Sequence, residues 1–564
     1  MATLLTPLPD LLNRAPTDEE RHAHEASPVD PNAEAATLEV EIHSLEIQLE
    51  QKRARLDTVH DLIRQYRTVT SPIRRLPTEV LQNVFLLALP DLHNALLSPE
   101  EPPLLLTRIC RPWREIALAT PELWSTIHIV CLPHEKDMSA AAHAAIEARA
   151  GAAAAWIARS GTRPLDVSIK SVGADELAGH AATYYESTET GALRPAFEST
   201  VPDALLSIIP HHRRWRQLDL ATSIAELYLL TELRGLDLPM LTSFSFSEEA
   251  SQPATDNQFN PKFLAHAQGL RHLKLNFPAS IQIQALLMLV RPSLADLHIQ
   301  SMYSDIASLD RLFSQIVSCA HLQRLNIAFS SNSWDPMPVN VQGQPTVMPQ
   351  LRRVHVSGYC EPAHYLLDRI RAPRLEAMEY GAREYTAHVI ESLAAFLSRS
   401  STSLTKLGVT VDERTESLFG LCLQAAPMLE DLTLTEGMME GRRQASPPLV
   451  PALGEAGANM LCPRLRSVGL YNCEGVDGAW LLDFLAARTS PRAEEEEWPL
   501  LQSVKVLFGT PQPGLEEKVT PYREMGIAVD ILKNEWRSKY VYSPNYGAVH
   551  DNGEPAMTLS SWDY

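Results

Sequence analysis

Hydrophobic residues recur in one short pattern between residues 215 and 506 of this chain. The pattern is apolar-x-x-apolar-x-apolar, and its last two apolar positions alternate with other residues as in a half-buried β-strand. Its starts are 24 to 36 residues apart, which is mostly inside or near the period of leucine-rich repeats. The eleven occurrences are Trp215/Leu218/Leu220, Leu241/Phe244/Phe246, Leu270/Leu273/Leu275, Leu294/Leu297/Ile299, Leu322/Leu325/Ile327, Leu351/Val354/Val356, Leu375/Met378/Tyr380, Leu404/Leu407/Val409, Leu429/Leu432/Leu434, Leu465/Val468/Leu470 and Leu501/Val504/Val506.

A helical pattern follows the strand motifs. Examples are 285–290, 309–317, 365–370, 389–397 and 480–486. A strand followed by a helix, repeated many times, predicts an α/β solenoid with a parallel sheet. Two longer intervals hold polar insertions, at 436–459 and 489–498.

A heptad pattern precedes the repeats. Its apolar positions are alternately four and three residues apart, and only Lys52 interrupts them. The positions are Leu38, Ile42, Leu45, Leu49, Lys52, Leu56, Val59, Ile63 and Tyr66. One interpretation is a coiled coil at 38–66, either a parallel homodimer or a docking helix for a second protein. The other is a single amphipathic helix that folds back on the segment after it.

The segment from Ile73 to Ile127 carries a helix that is apolar on two sides. Pro77 suits the first turn of that helix. One stripe is Leu76, Val80, Val84 and Leu87, and the other is Leu81, Phe85 and Leu89. So short a segment has too little interior to cover both stripes, so one stripe is expected to dock onto a partner. The alternative is an unusually apolar core helix inside one larger domain.

The same segment resembles a known family, the F-box. The resemblance rests on Leu76-Pro77, Glu79-Val80-Leu81, Val84-Phe85 and Ile109-Cys110-Arg111-Pro112-Trp113-Arg114. The run from Ala117 to Trp124 is similar to the F-box variant that is expanded in mushroom-forming fungi. Pro112 departs from the pattern, and it removes a needed backbone donor unless it lies in the first turn of its helix.

Part of the repeat region is similar to repeats that accompany F-boxes. The stretch from Cys462 to Cys473 is similar to cysteine-containing leucine-rich repeats, and 212–218 resembles a segment of the fungal F-box group. Most other repeats are degenerate. The predicted fold class is therefore α/β: a small all-α F-box helical domain, then a leucine-rich-repeat-like αβ solenoid with a parallel sheet, preceded by an amphipathic or coiled-coil helix.

The resemblance implies a substrate-recognition subunit of an SCF-type ubiquitin ligase. The F-box would bind the small adaptor protein that links to a cullin, and the repeats would hold an unidentified protein target. Catalysis would belong to the recruited conjugating enzyme, so the chain itself is not expected to be an enzyme. The alternative is a non-catalytic leucine-rich-repeat scaffold or assembly protein that acts outside a ubiquitin ligase.

The implied adaptor-binding residues are Leu76, Pro77, Val80, Leu81, Val84, Phe85, Cys110 and Trp113. Some of them must form the core of the F-box itself, with Trp113 and Trp124 the best suited to that role. A second candidate surface is the concave face, which is formed by the residues between the apolar strand positions. There His272, Lys274, Arg324, Arg353 and His355 are hypothesised to receive an acidic or phosphorylated segment of the target. The alternative is a solvated strand face without a ligand.

Composition excludes several other classes. The chain has 49 basic and 69 acidic residues and a formal net charge of −20, which argues against a nucleic-acid or membrane-surface binder. No apolar run is long enough to span a membrane, so a soluble protein of the cytoplasm, the nucleus or both is expected. The seven cysteines form no Cys-x-x-Cys pair, which indicates reduced thiols without a zinc site. No metal or other cofactor is predicted.

Six regions are predicted along the chain. They are a disordered N-terminus at 1–36, a coiled-coil or amphipathic helix at 37–69, the F-box at 70–128, an alanine-rich linker helix at 129–160, the degenerate repeat solenoid at 161–532 and a C-terminal tail at 533–564.

Overall fold

The structure is a computed structural model that describes most of the chain. The described residues are 15, 17–25, 31–131, 133–134, 140–171, 198–199, 201–222, 230, 237–248, 262–277, 287, 293–301, 306–329, 344–383, 387–400, 403–411, 416–436, 461–471, 476–489, 501–508 and 512–532. The chain forms two compact units, Met1–Leu81 and Gln82–Tyr564. The predicted C-terminal tail and most of both polar insertions lie outside the described residues.

The first unit is helical where it is described. It contains α1 (Asp18–Glu25), α2 (Pro31–Thr70), a 3₁₀ turn (Pro72–Arg75) and the start of α3 (Thr78–Leu87), which continues into the second unit. α2 runs for 40 residues because its interior has no glycine or proline to interrupt it. Its apolar heptad residues are 41–71% exposed, so no other described residue of this unit covers the seam.

The second unit is built on one parallel sheet of 14 described strands, whose order in the sheet is their order in the chain. Every described pair in it is parallel, which requires a crossover connection between each strand and the next. Its strands are β1 (Thr126–Cys131), β3 (Leu165–Ser171), β5 (Trp215–Thr222), β6 (Ser243–Glu248), β7 (His272–Phe277), β8 (Asp296–Ser301), β9 (Arg324–Phe329), β11 (Arg353–Tyr359), β13 (Ala377–Arg383), β14 (Lys406–Val411), β15 (Asp431–Glu436), β16 (Ser467–Tyr471), β17 (Ser503–Leu507) and β18 (Ala528–Leu532).

Two small sheets accompany this large one. β2 (Pro133–His134) pairs with β4 (Glu198–Ser199) in antiparallel, and β10 (Thr346–Val347) pairs with β12 (Ile370–Arg371) in parallel.

All eleven predicted strand motifs coincide with strands of the large sheet, β5 to β9, β11 and β13 to β17. The predicted α/β class with a parallel sheet is thereby confirmed. From β5 to β18 the paired strands show no register irregularity, so the middle apolar residues of the motifs lie side by side. Leu218, Phe244, Leu273 and Leu297 begin this row, and each is at most 1% exposed.

The helices of the second unit follow the same order. They are α4 (Leu106–Ile109), α5 (Arg111–Leu118), α6 (Ala140–Arg159), α7 (Val201–Ile208), α8 (Ile306–Val317), α9 (Cys360–Leu367), α10 (Ala387–Ser400), α11 (Glu416–Gln424), α12 (Gly478–Thr489) and α13 (Leu515–Glu524), with 3₁₀ helices at Pro121–Trp124, Ile209–Arg214 and Lys262–His266. α9 contacts α10, α10 contacts α11, and α12 contacts α13. This neighbour-to-neighbour stacking is compatible with a solenoid-like αβ fold.

Two of the predicted helices, at 365–370 and 285–290, do not coincide fully with described helices. The helix predicted at 365–370 ends at Leu367, because the chain turns there and Ile370 begins β12 instead. Ile370 is fully buried in that strand. Its apolar side chain is therefore explained by burial in a strand and not by a position on the apolar face of a helix. The helix predicted at 285–290 lies outside the described residues except for Leu287.

The helical segment before β1 shares a core with the start of the sheet. Trp124 is fully buried and meets Trp156 of α6 edge to face, with ring centroids 4.9 Å apart. The Trp156 indole nitrogen donates to the carbonyl oxygen of Thr126 at 3.1 Å, and the Trp124 indole nitrogen donates to that of Ala117 at 2.8 Å. The alanine-rich helix α6 therefore packs on both the helical segment and β1.

Candidate protein-binding sites

The two apolar stripes of α3 have opposite environments. Leu81 and Phe85 are 6% and 0% exposed, whereas Val80, Val84 and Leu87 are 42%, 39% and 85% exposed. Leucine and valine side chains in a row on one helix face would each lose water on binding a partner. We call Val80, Val84 and Leu87 the exposed stripe of α3.

The other predicted adaptor-binding residues also differ in exposure. Leu76 and Pro77, just before α3, are exposed, and Cys110 and Trp113 are partly exposed. Trp113 packs its ring on Phe85, at a centroid distance of 4.8 Å. Leu81 and Phe85 are thus core residues, which leaves Leu76, Pro77, Val80 and Val84 as the accessible members of the set.

Pro112 stands in the first turn of α5. Cys110 is the N-cap with extended backbone angles (φ −159°, ψ 166°), Arg111 is the first helical residue, and Pro112 follows it. The first four backbone N–H groups of a helix have no partner within the helix, so a proline at this position removes no helical hydrogen bond. The departure from the F-box pattern therefore does not distort this helix.

The strand face between the buried apolar positions carries two aligned rows of side chains. The first row includes His272, Asp296, Arg324 and Arg353 on adjacent strands β7, β8, β9 and β11. The second row includes Lys274, His298, Asn326, His355 and Glu379. We call them the first and the second row. All five residues of the predicted acidic-segment site lie in these rows, within four neighbouring strands.

Asp296 neutralises part of the first row. Its carboxylate pairs with Arg324 on one side and with the imidazole of His272 on the other. Arg324 uses both Nε, at 2.6 Å from Oδ1, and a terminal nitrogen, which is the bidentate geometry of a strong charge-assisted hydrogen bond. The same hydrogen bond raises the pKa of the Arg324 guanidinium. Two of the five predicted anion-binding residues thus share a carboxylate from their own sheet.

The second row is partly neutralised as well. His355 Nδ1 lies 2.6 Å from a carboxylate oxygen of Glu379 on the next strand. Lys274 and Arg353, by contrast, form no ion pair with any described residue. They are three strand spacings apart, on β7 and β11, which corresponds to about 14 Å.

His298 lies between these groups and remains uncharged at neutral pH. Burial, together with the nearby charges of Lys274 and His355, lowers its pKa to about 3 from the ordinary value of 6.5. The surface charge available to a ligand therefore comes from Lys274 and Arg353 and not from His298.

Four of the five cysteines whose side chains are described are core residues. Cys131, Cys319, Cys422 and Cys462 are buried, and Cys110 is partly exposed. Burial raises the pKa of Cys422 to about 12 and that of Cys462 to about 11. Within the described ranges, no group of three or more His, Cys, Asp and Glu side chains has the geometry of a metal site.

No protein-family model matches the chain, and no curated protein matches it significantly. Among the described helices, none is both long and apolar enough to cross a lipid bilayer.

Sequence reasoning did not assign Asp296 or Glu379 as counter-ions. The signal was nonetheless available, because in an in-register repeat the neighbours of a residue are the equivalent positions of the adjacent motifs. Asp296 occupies the position equivalent to both His272 and Arg324, and Glu379 the position equivalent to His355.

Proposed function

We propose that this chain is a substrate-recognition subunit of an SCF-type ubiquitin ligase. In this proposal the segment 70–128 is an F-box that docks the small cullin adaptor, and the leucine-rich-repeat-like region holds the protein target. The exposed stripe of α3 is the observation that carries the proposal. It leaves Val80, Val84 and Leu87 uncovered on a helix whose other face is already buried.

Docking of an apolar partner surface would stabilise the complex through this stripe. Complete burial of a leucine or valine side chain contributes roughly 1.5–3 kcal/mol relative to exposure. Leu76 and Pro77 extend the accessible surface beyond the start of the helix. Trp113 on Phe85 fixes α5 beside α3, so a partner would meet a preformed surface with little ordering cost.

The strand face supports a role in target binding. Lys274 and Arg353 are cationic positions without a described ion-pair partner, and about 14 Å separates their strands. The two positions are also offset by two residues along the strands, because Lys274 is in the second row and Arg353 in the first. An extended peptide rises about 3.3 Å per residue, so acidic side chains roughly five residues apart would reach both. An acidic or multiply phosphorylated extended segment fits this spacing better than a single phosphate.

The chain would contribute proximity rather than covalent chemistry. Holding a target lysine near the thioester of a recruited conjugating enzyme converts a bimolecular step into an effectively unimolecular one. The alternative, a repeat scaffold that acts outside a ligase, uses the same surfaces but recruits no cullin.

Reconstitution with purified adaptor and cullin tests the proposal. The wild-type chain should bind the adaptor directly and recruit the cullin through it. Val80→Asp/Val84→Asp should lower adaptor affinity at least tenfold, while Leu206→Asp, at another exposed apolar site on α7, should not. Binding of the adaptor without the cullin would favour the scaffold alternative, and absence of adaptor binding would refute the ligase proposal.

A further inference from the structure

The charges that flank the heptad seam of α2 are divided by sign along the helix. The seam spacing makes Ile42, Leu49, Leu56 and Ile63 the a positions, and Leu38, Leu45, Lys52, Val59 and Tyr66 the d positions. The flanking e and g positions in the first half carry Glu34, Glu39, Glu41 and Glu46. Those in the second half carry Arg53, Arg55, His60 and Arg67.

This division opposes a parallel pair of α2 helices. In a parallel dimer each g position faces the e position five residues later on the other chain. Glu41 would then face Glu46, and Glu34 would face Glu39, so like charges would meet on both sides of the seam. The two copies of Lys52 would also share one core layer, which places two ammonium groups together.

An antiparallel pair removes both effects. In that orientation e positions face e positions and g positions face g positions. The e side then pairs acidic with basic residues, whereas on the g side Glu41 faces Leu62, Glu34 faces Val69 and Gln48 faces Arg55, so no like charges meet there. Glu46 then faces Arg53 of the partner subunit, and Glu39 faces His60 of the partner subunit. Lys52 packs against Leu49 of the partner subunit, where its alkyl chain can cover the leucine while the ammonium reaches water.

The two helices also match in length in this register. Pairing Leu49 with Lys52 sets every a residue opposite a d residue of the other copy, with Leu45 on Leu56, Ile42 on Val59 and Leu38 on Ile63. The same register brings Pro31, the first residue of α2, opposite Thr70, the last. The whole helix therefore overlaps with its second copy, and no apolar seam residue is left over.

The single chain does not already satisfy these groups. Arg53, Arg55 and Arg67 form no ion pair with any described residue, and Glu46 approaches only His43, at 3.9 Å. The seam side chains from Leu38 to Tyr66 are exposed along the full helix. We propose that the chain forms a homodimer through α2, as an antiparallel two-helix coiled coil centred between Glu50 and Gln51. This inference does not depend on the ligase role.

A charge reversal should change the dimer dissociation constant in opposite directions for the two orientations. Sedimentation equilibrium of the full chain measures that constant. Glu46→Lys turns two attractive contacts of an antiparallel dimer into repulsive ones, so the dimer dissociation constant should rise roughly tenfold. In a parallel dimer the same change would remove two Glu–Glu contacts and tighten binding. Adding Arg53→Glu should restore the wild-type constant. Glu50→Lys, an equal charge change at an outward b position, is the matched control and should leave the constant unchanged.

Disulfide trapping reports the orientation directly. The double variant Leu38→Cys/Ile63→Cys should give crosslinked peptides that join 38 to 63 of different chains, since these positions are about 37 Å apart within one helix. Leu38→Cys alone should give no 38–38 crosslink. A 38–38 crosslink, a wild-type chain that stays monomeric at about 100 μM, a species larger than a dimer, or a dimer that survives Ile42→Asp/Leu56→Asp would each overturn the proposal.

Discussion

The ring of Trp113 lies on the ring of Phe85, with centroids 4.8 Å apart and ring planes inclined by 54°. Phe85 is fully buried on α3, and Trp113 stands in the first turn of α5. This contact fixes α5 against the buried side of α3, which leaves the opposite side of α3 accessible. Stability and partner binding are therefore expected to depend on different residues of the same helix.

Neighbouring residues of α3 should respond differently to truncation. Phe85→Ala removes a fully buried ring and the support of Trp113, so we expect the free energy of unfolding to fall by about 3–5 kcal/mol. Val84→Ala, on the exposed stripe, should change it by less than about 1 kcal/mol. Urea unfolding monitored by tryptophan fluorescence measures both. Equal effects of the two changes would mean that both stripes are buried in the protein.

Proline should be tolerated in α5 only in its first turn. Pro112→Ala is expected to change the free energy of unfolding by less than about 1 kcal/mol, because no helical hydrogen bond depends on residue 112. Glu115→Pro, one turn later at an exposed site, should cost about 3 kcal/mol through a lost hydrogen bond and a steric clash. Thermal unfolding of the two variants checks this, and a stable Glu115→Pro variant would contradict the assigned helix.

Removal of the Asp296 charge should strengthen binding of an acidic ligand. Asp296→Asn releases Arg324 and His272 from their shared carboxylate, so the first row gains one net positive charge. We expect the affinity for a poly-glutamate peptide to rise several-fold at low salt and to return towards wild type at high salt. Lys274→Glu should lower the affinity. Fluorescence anisotropy with a labelled peptide measures both, and a change at the exposed Asp483 of α12, Asp483→Asn, is the control.

His298 should make the protein less stable in acid. Its pKa in the folded protein is about 3, well below the ordinary 6.5, so between these values only the unfolded chain takes up the proton. The free energy of unfolding should therefore fall as pH drops through 6.5 towards 3, with a loss of about 1–2 kcal/mol between pH 7 and pH 5. His298→Asn should lack that part of the loss, whereas the exposed His266→Asn should retain it. Urea unfolding at the two pH values tests this.

The buried thiols should be unreactive in the folded protein. Cys462 and Cys422 have pKa values raised to about 11 and about 12 by burial, so neither forms the thiolate that alkylation requires near pH 8. Iodoacetamide should modify the partly exposed Cys110 before these two buried residues, which it should reach only after denaturation. Peptide mass spectrometry follows each site. Rapid native-state modification of Cys462 would contradict its place in the core.

The repeat strands were predictable because burial imposes a fixed spacing on them. Three strands were missed for identifiable reasons. β1 does carry the motif, as Trp124/Ile127/Ile129, but the boundary predicted between the F-box (70–128) and the alanine-rich helix (129–160) divides it. β3 and β18 lack the leading hydrophobic residue, since Pro164 and Gly526 occupy that position. The pattern thus depends on a residue outside the strand, and strands at the ends of the array lose it first.

The candidate sites were predictable only in part. The two stripes of α3 follow from helical spacing, but spacing does not reveal which stripe is buried, and that required the Phe85–Trp113 contact. The cationic residues of the strand face were found as a group, whereas the pairing of Arg324 with Asp296 depends on the register between strands. The sequence shows which charged residues lie on the strand face. The register between strands determines which of those charges are paired and therefore neutralised.

The contact of Leu96 with His128 has a consequence for how the protein can be divided. Leu96 forms an isolated parallel bridge with His128 of β1, and the amide of His128 donates to Ala95 at 2.9 Å, while Asn94 donates to the Ser168 hydroxyl of β3. The loop after α3 therefore covers the first edge of the sheet. A shortened chain that begins at β1 would expose that edge, which is a template for strand pairing between molecules. A shortened chain that contains the repeats should therefore keep the preceding loop as well.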